Sequence, residues 1–307
     1  MYGEMQNSGL IWMNGEMVPW KDANTHVLSH GLNYGTGIFE GVRAYPTENG
    51  AAIFKLREHT QRFLNSAHII NMPMPYSLEE LFEAQRQVIS VNKLKSAYIR
   101  PLAFYGPEHL GISTENLSTR VIIAGWEWGS YLGQDAIENG IRVRTSSFTR
   151  HHINVSMCRG KITGNYMNSC LALREAHAAG CQESLMLDPQ GYVAEGSAEN
   201  VFIIKDNRIY TPMLTSCLAG ITRATVMTLA QEFGYTVHER LITRDEVYIA
   251  DEAFFTGTAA EVTPIVELDE RKIGTGKPGP ITQQLQQAYF NVVEGRNPQY
   301  ENWLTLV

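Results

Sequence analysis

The feature that most limits what this chain can fold into is a break. Gly125 to Gly133 is rich in Gly, Trp and Tyr, and strand and helix patterns run out before it and restart after it. A chain of 307 residues is long for one hydrophobic core and comfortable for two. The break therefore reads as a junction: a smaller N-terminal α+β domain over 1–127, an interdomain loop over 128–136, and a larger domain over 137–307.

In the first part, Leu10 to Trp20 alternates around Asn14-Gly15, a strong hairpin signal. Gly35 to Leu56 reads as two strands joined through Pro46 to Gly50. Glu58 to Met72 puts Phe63, Leu64, Ala67 and Ile70 on one helical stripe. Ser77 with Glu80 forms a capping box ahead of an amphipathic helix, Leu78 to Val91. Tyr98 to Tyr105 and Arg120 to Trp126 follow as strands, giving a mixed sheet with two helices.

In the second part, strands restart at Ile141 to Phe148. Tyr166 to Ala179 is a helix ended by Gly180, and Ile221 to Phe233 a helix stopped by Gly234. Between them, Ser184 to Leu187 and Tyr192 to Ala194 flank a turn, and Val201 to Tyr210 is a hairpin through Asp206-Asn207. Thr243 with Glu246 makes a second capping box, Ala253-Phe254-Phe255 is a short apolar strand, and Ile281 to Val293 is a terminal helix. There is no internal repeat.

Composition narrows the function. Hydrophobic residues make up 44% of the chain and charged ones 19%, within reach of an ordinary enzyme core. The net charge of −7 argues against a nucleic-acid or anionic-membrane partner, which needs a basic footprint. No apolar run approaches membrane-spanning length, and Met1 to Asn7 lacks the basic-then-apolar order of a secretion signal. Cys158, Cys170, Cys181 and Cys217 show neither CxxC spacing nor a small secreted frame. They read as reduced cytoplasmic thiols, with no metal bound. Gly274 to Gly279 matches GxGxxG literally, but Pro278 sits inside it and too little chain remains for a βαβ unit. Adjacent His151 and His152 do not share a helix face as metal ligands must.

Three segments carry candidate chemistry. Lys161 stands among only eight lysines, between Gly160 and Gly164, where a helix pattern is about to start. An arbitrary lysine is a solvated surface charge. A lysine that attacks a carbonyl must instead be kept unprotonated by desolvation or nearby cations, and Arg159 is close in sequence. Glu195 and Glu199 lie in a small, polar stretch that leads straight into apolar Val201 to Ile204. A loop carboxylate is ordinarily solvated, but small neighbours let a backbone approach a flat ring, and a carboxylate there keeps a pyridine nitrogen protonated. Gly220-Ile221-Thr222 opens a helix, where free amides and the dipole attract anions. On those residues alone, a plain helix cap is the better reading. Thr256 to Ala260 can add amides and hydroxyls to an anion site. A Schiff-base lysine, a ring-nitrogen carboxylate and a phosphate cradle are together what pyridoxal phosphate requires.

The residues also resemble a known family. Ser29 to Gly35, Phe39-Glu40-Gly41-Val42-Arg43, Glu58 to Arg62, Ala97 to Pro101, Lys161 to Asn168, Glu195 to Phe202, Gly220 to Arg223 and Gly257 to Pro264 are similar to segments of fold-type IV pyridoxal-phosphate enzymes, and within them of branched-chain amino-acid aminotransferases. The similarity runs from about Ile11 to the last helix. It implies a two-domain α/β and α+β fold like that of D-amino-acid aminotransferase, with the active site in the interdomain cleft. It also implies pyridoxal 5'-phosphate as cofactor. The implied reaction is ping-pong amino transfer between L-leucine, L-isoleucine or L-valine and 2-oxoglutarate, through a Lys161 Schiff base.

Carried over by position, the resemblance assigns roles. Lys161 is the catalytic base as well as the cofactor's anchor. Tyr166 bonds the cofactor's O3′ and Glu195 its pyridine nitrogen, while Arg62, Gly220, Ile221, Thr222, Gly257 and Thr258 hold the phosphate. Tyr98, Thr258 and Ala259 take the substrate α-carboxylate. Phe39, Gly41, Trp128, Tyr131 and Tyr166 line the side-chain pocket, and Tyr34 reaches in from a partner subunit. The last role implies a homodimer or a trimer of dimers. Tyr98-Ile99-Arg100 stands where D-amino-acid relatives carry Arg-x-His, and Arg100 is the candidate for glutamate's γ-carboxylate. Two positions depart from the pattern: Thr149 to Arg159 has no proline, and Ala219 replaces the proline common before the Gly-Ile-Thr turn. The alternatives are a D-amino-acid or (R)-amine transaminase, an aminodeoxychorismate lyase on the same fold, or a non-catalytic pyridoxal-phosphate-binding protein.

Overall fold

A computed structural model describes residues 9–129 and 132–307. The chain forms two compact units, and neither is one uninterrupted stretch. The first comprises residues 9–129, 160–165 and 292–307; the second comprises 132–159 and 166–291. The segment carrying Lys161 and the last sixteen residues thus belong to the first unit although they follow the junction in sequence.

The first unit opens with a hairpin of β1 (Leu10–Met13) and β2 (Glu16–Pro19). Its turn residues take positive φ, 51° at Asn14 and 100° at Gly15, as the Asn-Gly signal requires. There follow α1 (His30–Tyr34), β3 (Gly37–Phe39), β4 (Val42–Thr47), β5 (Gly50–Phe54), α2 (Leu56–Ile69), α3 (Leu78–Val91), β6 (Ala97–Tyr105) and β7 (Thr119–Glu127). The Ser77–Glu80 capping box is present in both directions. The expected mixed sheet is here antiparallel at every pairing. The physical reason is the connection. Although α2 and α3 carry the chain from β5 to β6, β4 lies between those two strands, so they never pair.

Strand parity then divides the first sheet. In β6, Ala97, Ile99 and Ala103 join the core with Val42, Ala44, Val121 and Ile123, packed with Phe63 of α2 and Leu81, Val88 and Ile89 of α3. Side chains alternate along a strand, so Tyr98 and Arg100, like Arg43 and Trp126, face the other way. Tyr98 pairs directly with Arg43 on one side and Trp126 on the other. Around Tyr98, the opposite face of this sheet therefore carries aromatic rings and arginines.

The second unit runs through α4 (Gln134–Asn139), β8 (Ile141–Thr145), α5 (Ile153–Ser156), α6 (Tyr166–Ala178), β9 (Glu183–Leu187), β10 (Val193–Gly196), β11 (Asn200–Lys205), β12 (Arg208–Pro212), α7 (Ile221–Glu232), β13 (Val237–Arg240), α8 (Arg244–Tyr248), β14 (Glu252–Gly257), β15 (Glu261–Leu268), β16 (Arg271–Lys272) and most of α9 (Pro280–Val293). Its sheet is the mixed one. Strands β8–β9, β8–β15 and β12–β13 are parallel and the other pairings antiparallel. Phe202 and Phe254, on neighbouring strands, stack with centroids 4.9 Å apart. The chain ends in the first unit, where β17 (Leu304–Leu306) pairs with β5.

Candidate active site

In the first unit, Lys161 lies just ahead of a short 3-10 turn, Thr163–Asn165. Its main chain is held on both sides: Phe39 N donates to its carbonyl at 3.0 Å, and its own N–H reaches Ser66 Oγ at 3.0 Å. The next residue, Ile162, bridges to Ile38 of β3. Lys161 Nζ stands 5.0 Å from the centroid of the Phe39 ring. The Arg100 guanidinium lies 4.8 Å from the same ring and 5.4 Å from that of Tyr98. Arg100 Nη2 donates to Tyr98 Oη at 3.5 Å. Trp128 meets Tyr98 edge-on at 4.5 Å. Phe39, Tyr98, Arg100, Trp128 and Lys161 thus form one group.

Gly41 belongs to the group for a steric reason. A Cβ there would stand 1.8 Å from Tyr98 Oη, so only glycine lets the phenol lie against the backbone. Tyr34 is placed apart from this group by its visible contacts: it sits on α1, half exposed, with its ring 4.5 Å from His30. Tyr131 lies outside the described residues.

Arg62 is more committed than its exposed helical spacing implies. Its Nε and Nη2 donate to the two oxygens of Glu40 at 2.6 and 2.9 Å, and His59 Nδ1 lies 2.9 Å from Glu40 Oε2. Glu40 is fully buried. Burial alone would raise its pKa, but the Arg62 charge and the bonds from His59 and Arg62 outweigh it and hold the carboxyl well below the usual range. Burial pushes His59 the other way, below its ordinary value, so a neutral ring donates its Nδ1 proton.

The second unit carries the other candidates. Glu195, on β10, is 3% exposed and pairs with Arg150 at 2.7 Å. Its Oε2 accepts the Leu218 N–H at 3.1 Å. Burial works against the charge on Arg150, yet the carboxylate of Glu195 outweighs it and raises its pKa. Tyr166 opens α6 in the same unit. Asn200 Nδ2 donates to the Leu218 carbonyl at 2.9 Å, tying β11 to the segment before α7. A Cβ on Gly220, the N-cap of α7, would stand 1.9 Å from Asn200 Oδ1, so this approach also demands glycine.

Ile221 and Thr222 open α7, whose first amides have no acceptor within the helix. Arg223, the cation at this helix start, is turned into the fold and bonds Glu239 at 2.7 Å and the Pro212 carbonyl at 3.1 Å. Gly257 ends β14, and Thr258 and Ala259 form the turn into β15. Beside them, Thr256 Oγ1 is buried with no hydrogen-bond partner among the described residues. A buried carboxylate paired with an arginine, a glycine-lined helix start and an orphaned buried hydroxyl fit the ring nitrogen and phosphate of pyridoxal phosphate.

Reading the sequence by motif missed Arg150, Glu40, Ser66 and Asn200 as supporting residues. A signal existed for two of them. Glu40 interrupts the apolar run Ile38–Val42, and a charge inside a buried strand needs a partner. Arg150 likewise precedes the adjacent histidines that drew attention as possible ligands. His151 titrates down to about 4, first through burial and then through the Arg150 charge.

Comparison with known proteins shows the family. The family described as amino-transferase class IV matches residues 37–268. The chain is 60% identical over 299 residues to the branched-chain-amino-acid aminotransferase of Pseudomonas aeruginosa, covering 97% of each. It is 46% identical to that of Escherichia coli, again over 97% of each. A solved T.th. branched-chain amino acid aminotransferase with pyridoxamine 5'-phosphate superposes with a TM-score of 0.96 at 50% identity, covering 99% of both chains. The chain belongs to the class IV aminotransferase family, with the fold-type IV architecture and pyridoxal-phosphate dependence of that family.

Proposed function

We propose that this protein is a branched-chain amino-acid aminotransferase, passing the amino group between L-leucine, L-isoleucine or L-valine and 2-oxoglutarate. The observation that carries the reading is the Phe39 ring, flanked by the Lys161 amine at 5.0 Å and the Arg100 guanidinium at 4.8 Å. One pocket must take both a leucine side chain and glutamate's carboxylate. An aromatic wall with a guanidinium at its edge meets both needs, because arginine forms bidentate pairs with carboxylates and also stacks on rings.

Bound pyridoxal phosphate supplies the carbonyl that receives the amino group and a ring that spreads the charge left on the α-carbon. Lys161 anchors the cofactor and moves the proton at the substrate α-carbon. Glu195 keeps a proton at the ring nitrogen, and Tyr166 orients the ring through its O3′. Arg62, Gly220, Ile221, Thr222, Gly257 and Thr258 hold the phosphate. Tyr98, Thr258 and Ala259 hold the α-carboxylate, and Phe39, Gly41, Trp128 and Tyr131 shape the side-chain pocket.

A second copy of the chain completes the site with Tyr34, as a dimer or a trimer of dimers. The support is a set of exposed apolar residues around α1: Val27 at 72%, Leu32 at 67% and Ile112 at 89% exposure. The loop of Ile112 is tied to α1 by a 2.7 Å contact between His30 Nε2 and the Gly111 carbonyl. Apolar side chains this exposed mark association surfaces when they cluster. The enzyme works in the cytoplasm, a reading supported by its four free cysteines.

The test is glutamate formation from 2-oxoglutarate by the purified protein supplied with L-leucine, L-isoleucine, L-valine, D-alanine or an (R)-amine. Turnover with the three L-amino acids is expected. Turnover confined to D-alanine or the (R)-amine overturns the reading of Arg100, and cofactor binding without any turnover overturns the enzyme.

A further inference from the structure

We propose that Glu40 is a positioning residue for Lys161, closing a ring of bonds that fixes the lysine's main chain between β3 and α2. The proposal rests on the reading of Lys161 given above. Starting from Glu40, both carboxylate oxygens take Arg62 on α2, at 2.6 and 2.9 Å. One turn later, Ser66 Oγ donates to the Arg62 carbonyl at 2.9 Å. The same Oγ accepts the Lys161 N–H at 3.0 Å. The Lys161 carbonyl accepts Phe39 N–H at 3.0 Å, and Phe39 precedes Glu40, which closes the ring. Glu40 is itself pinned to the sheet by its N–H on the Pro101 carbonyl at 2.8 Å.

The consequence is mechanical. A lysine amine is carried on four rotatable bonds, so it stays in one place only if its main chain does not move. Both main-chain groups of Lys161 are bonded, and both bonds lead back to Glu40: one along β3, one along α2. The Glu40–Arg62 pair is what locks helix to strand at this point, and it lies on the protein's interior, where an unpaired charge is costly. His59, one turn before Arg62 on the same helix face, adds a second tie to the same carboxylate. Arg62, if it also holds the cofactor phosphate, is oriented by the same pair.

Glu40→Gln and Ser66→Ala break the ring at different links, the second without touching the ion pair. The primary readout is hydrogen–deuterium exchange of the full-length protein, followed in peptides covering residues 160–165. Both variants are expected to exchange there roughly tenfold faster than wild type, with the β10–β11 peptides of the second unit unchanged. In turnover of L-leucine, kcat is expected to fall roughly 10- to 100-fold with KM changed less than about twofold. Unchanged exchange at 160–165 in folded Glu40→Gln overturns the proposal. If that variant does not fold, unchanged exchange in Ser66→Ala overturns it instead. Because exchange needs no catalysis, a wild-type protein without turnover would sink the functional reading while leaving this result decisive.

Discussion

Each unit buries glutamates, and the pKa of Glu40 in the first moves in the opposite direction from those of Glu183 and Glu199 in the second. In the first, Glu40 receives a guanidinium and an imidazole N–H, so the charged carboxylate survives complete burial. In the second, Glu183 and Glu199 are buried as deeply, but the bonds they receive come chiefly from main-chain amides: Ser184 and Ser197 on Glu183, Ala198 on Glu199. Burial raises both, and Glu183 raises Glu199 further. Arg150, the nearby cation, is committed to Glu195. Charge is favoured at Glu40, beside the proposed cofactor residue Arg62. It is disfavoured at Glu199, which shapes the turn between β10 and β11 through the 2.7 Å bond from Gly196 N to its carbonyl.

The largest effect should come from breaking the charged cluster. Glu40→Ala leaves the Arg62 guanidinium half-stranded and should lower the unfolding free energy by about 3–5 kcal/mol in urea titrations, the usual loss when one member of a buried pair is removed. A loss below about 1 kcal/mol would show that the pair behaves as a surface one. Next comes Gly41→Ala, one residue along, whose N–H also reaches Glu40 Oε2 at 3.2 Å. The added methyl displaces the Tyr98 phenol, and kcat/KM for L-leucine should fall roughly 100-fold, about 2.7 kcal/mol. Unchanged kinetics would remove Tyr98 from the substrate site.

The smallest effect, and the sharpest contrast, is expected at the Glu183–Glu199 pair. Glu199→Gln mimics the neutral form and should change stability by less than about 1 kcal/mol below pH 4.5, where the wild-type carboxyl is protonated folded or unfolded. The two clusters then differ in the sign of their pH dependence. Glu40 has a depressed pKa, so its stabilisation is present above the ordinary value of 4.5 and is lost as pH falls below it. Glu199 has a raised pKa, so its contribution is present below 4.5 and is lost as pH rises toward its folded value. Glu199→Gln should therefore gain stability relative to wild type as pH rises. Urea midpoints taken on both sides of that value check this, and parallel pH profiles for variant and wild type would contradict it.

Local rules made much of the fold legible. The Asn14-Gly15 turn and both capping boxes depend on residues within four of one another, and they stand where expected. The five-residue helix α1 was not legible, because it contains Gly31 and is too short to show a period. Nor was β17, whose only claim to be a strand is a partner some 250 residues away, at Ala52 to Phe54. The same divide runs through the site. Lys161 and Glu195 announced themselves by small neighbours and the elements around them. Glu40 stood inside a quoted segment, but its meaning lies in Arg62 and Ser66, which a helix brings to it from 22 and 26 residues away.

Lys161 is proposed as the lysine that takes the cofactor. The most direct measurement is borohydride reduction of the purified protein supplied with pyridoxal phosphate, followed by peptide mass spectrometry. A yellow protein is expected, one that loses its colour on reduction and carries one phosphopyridoxyl group, on the peptide containing Lys161. A label on any of the other seven lysines, or a colourless protein that takes up no label, would contradict it.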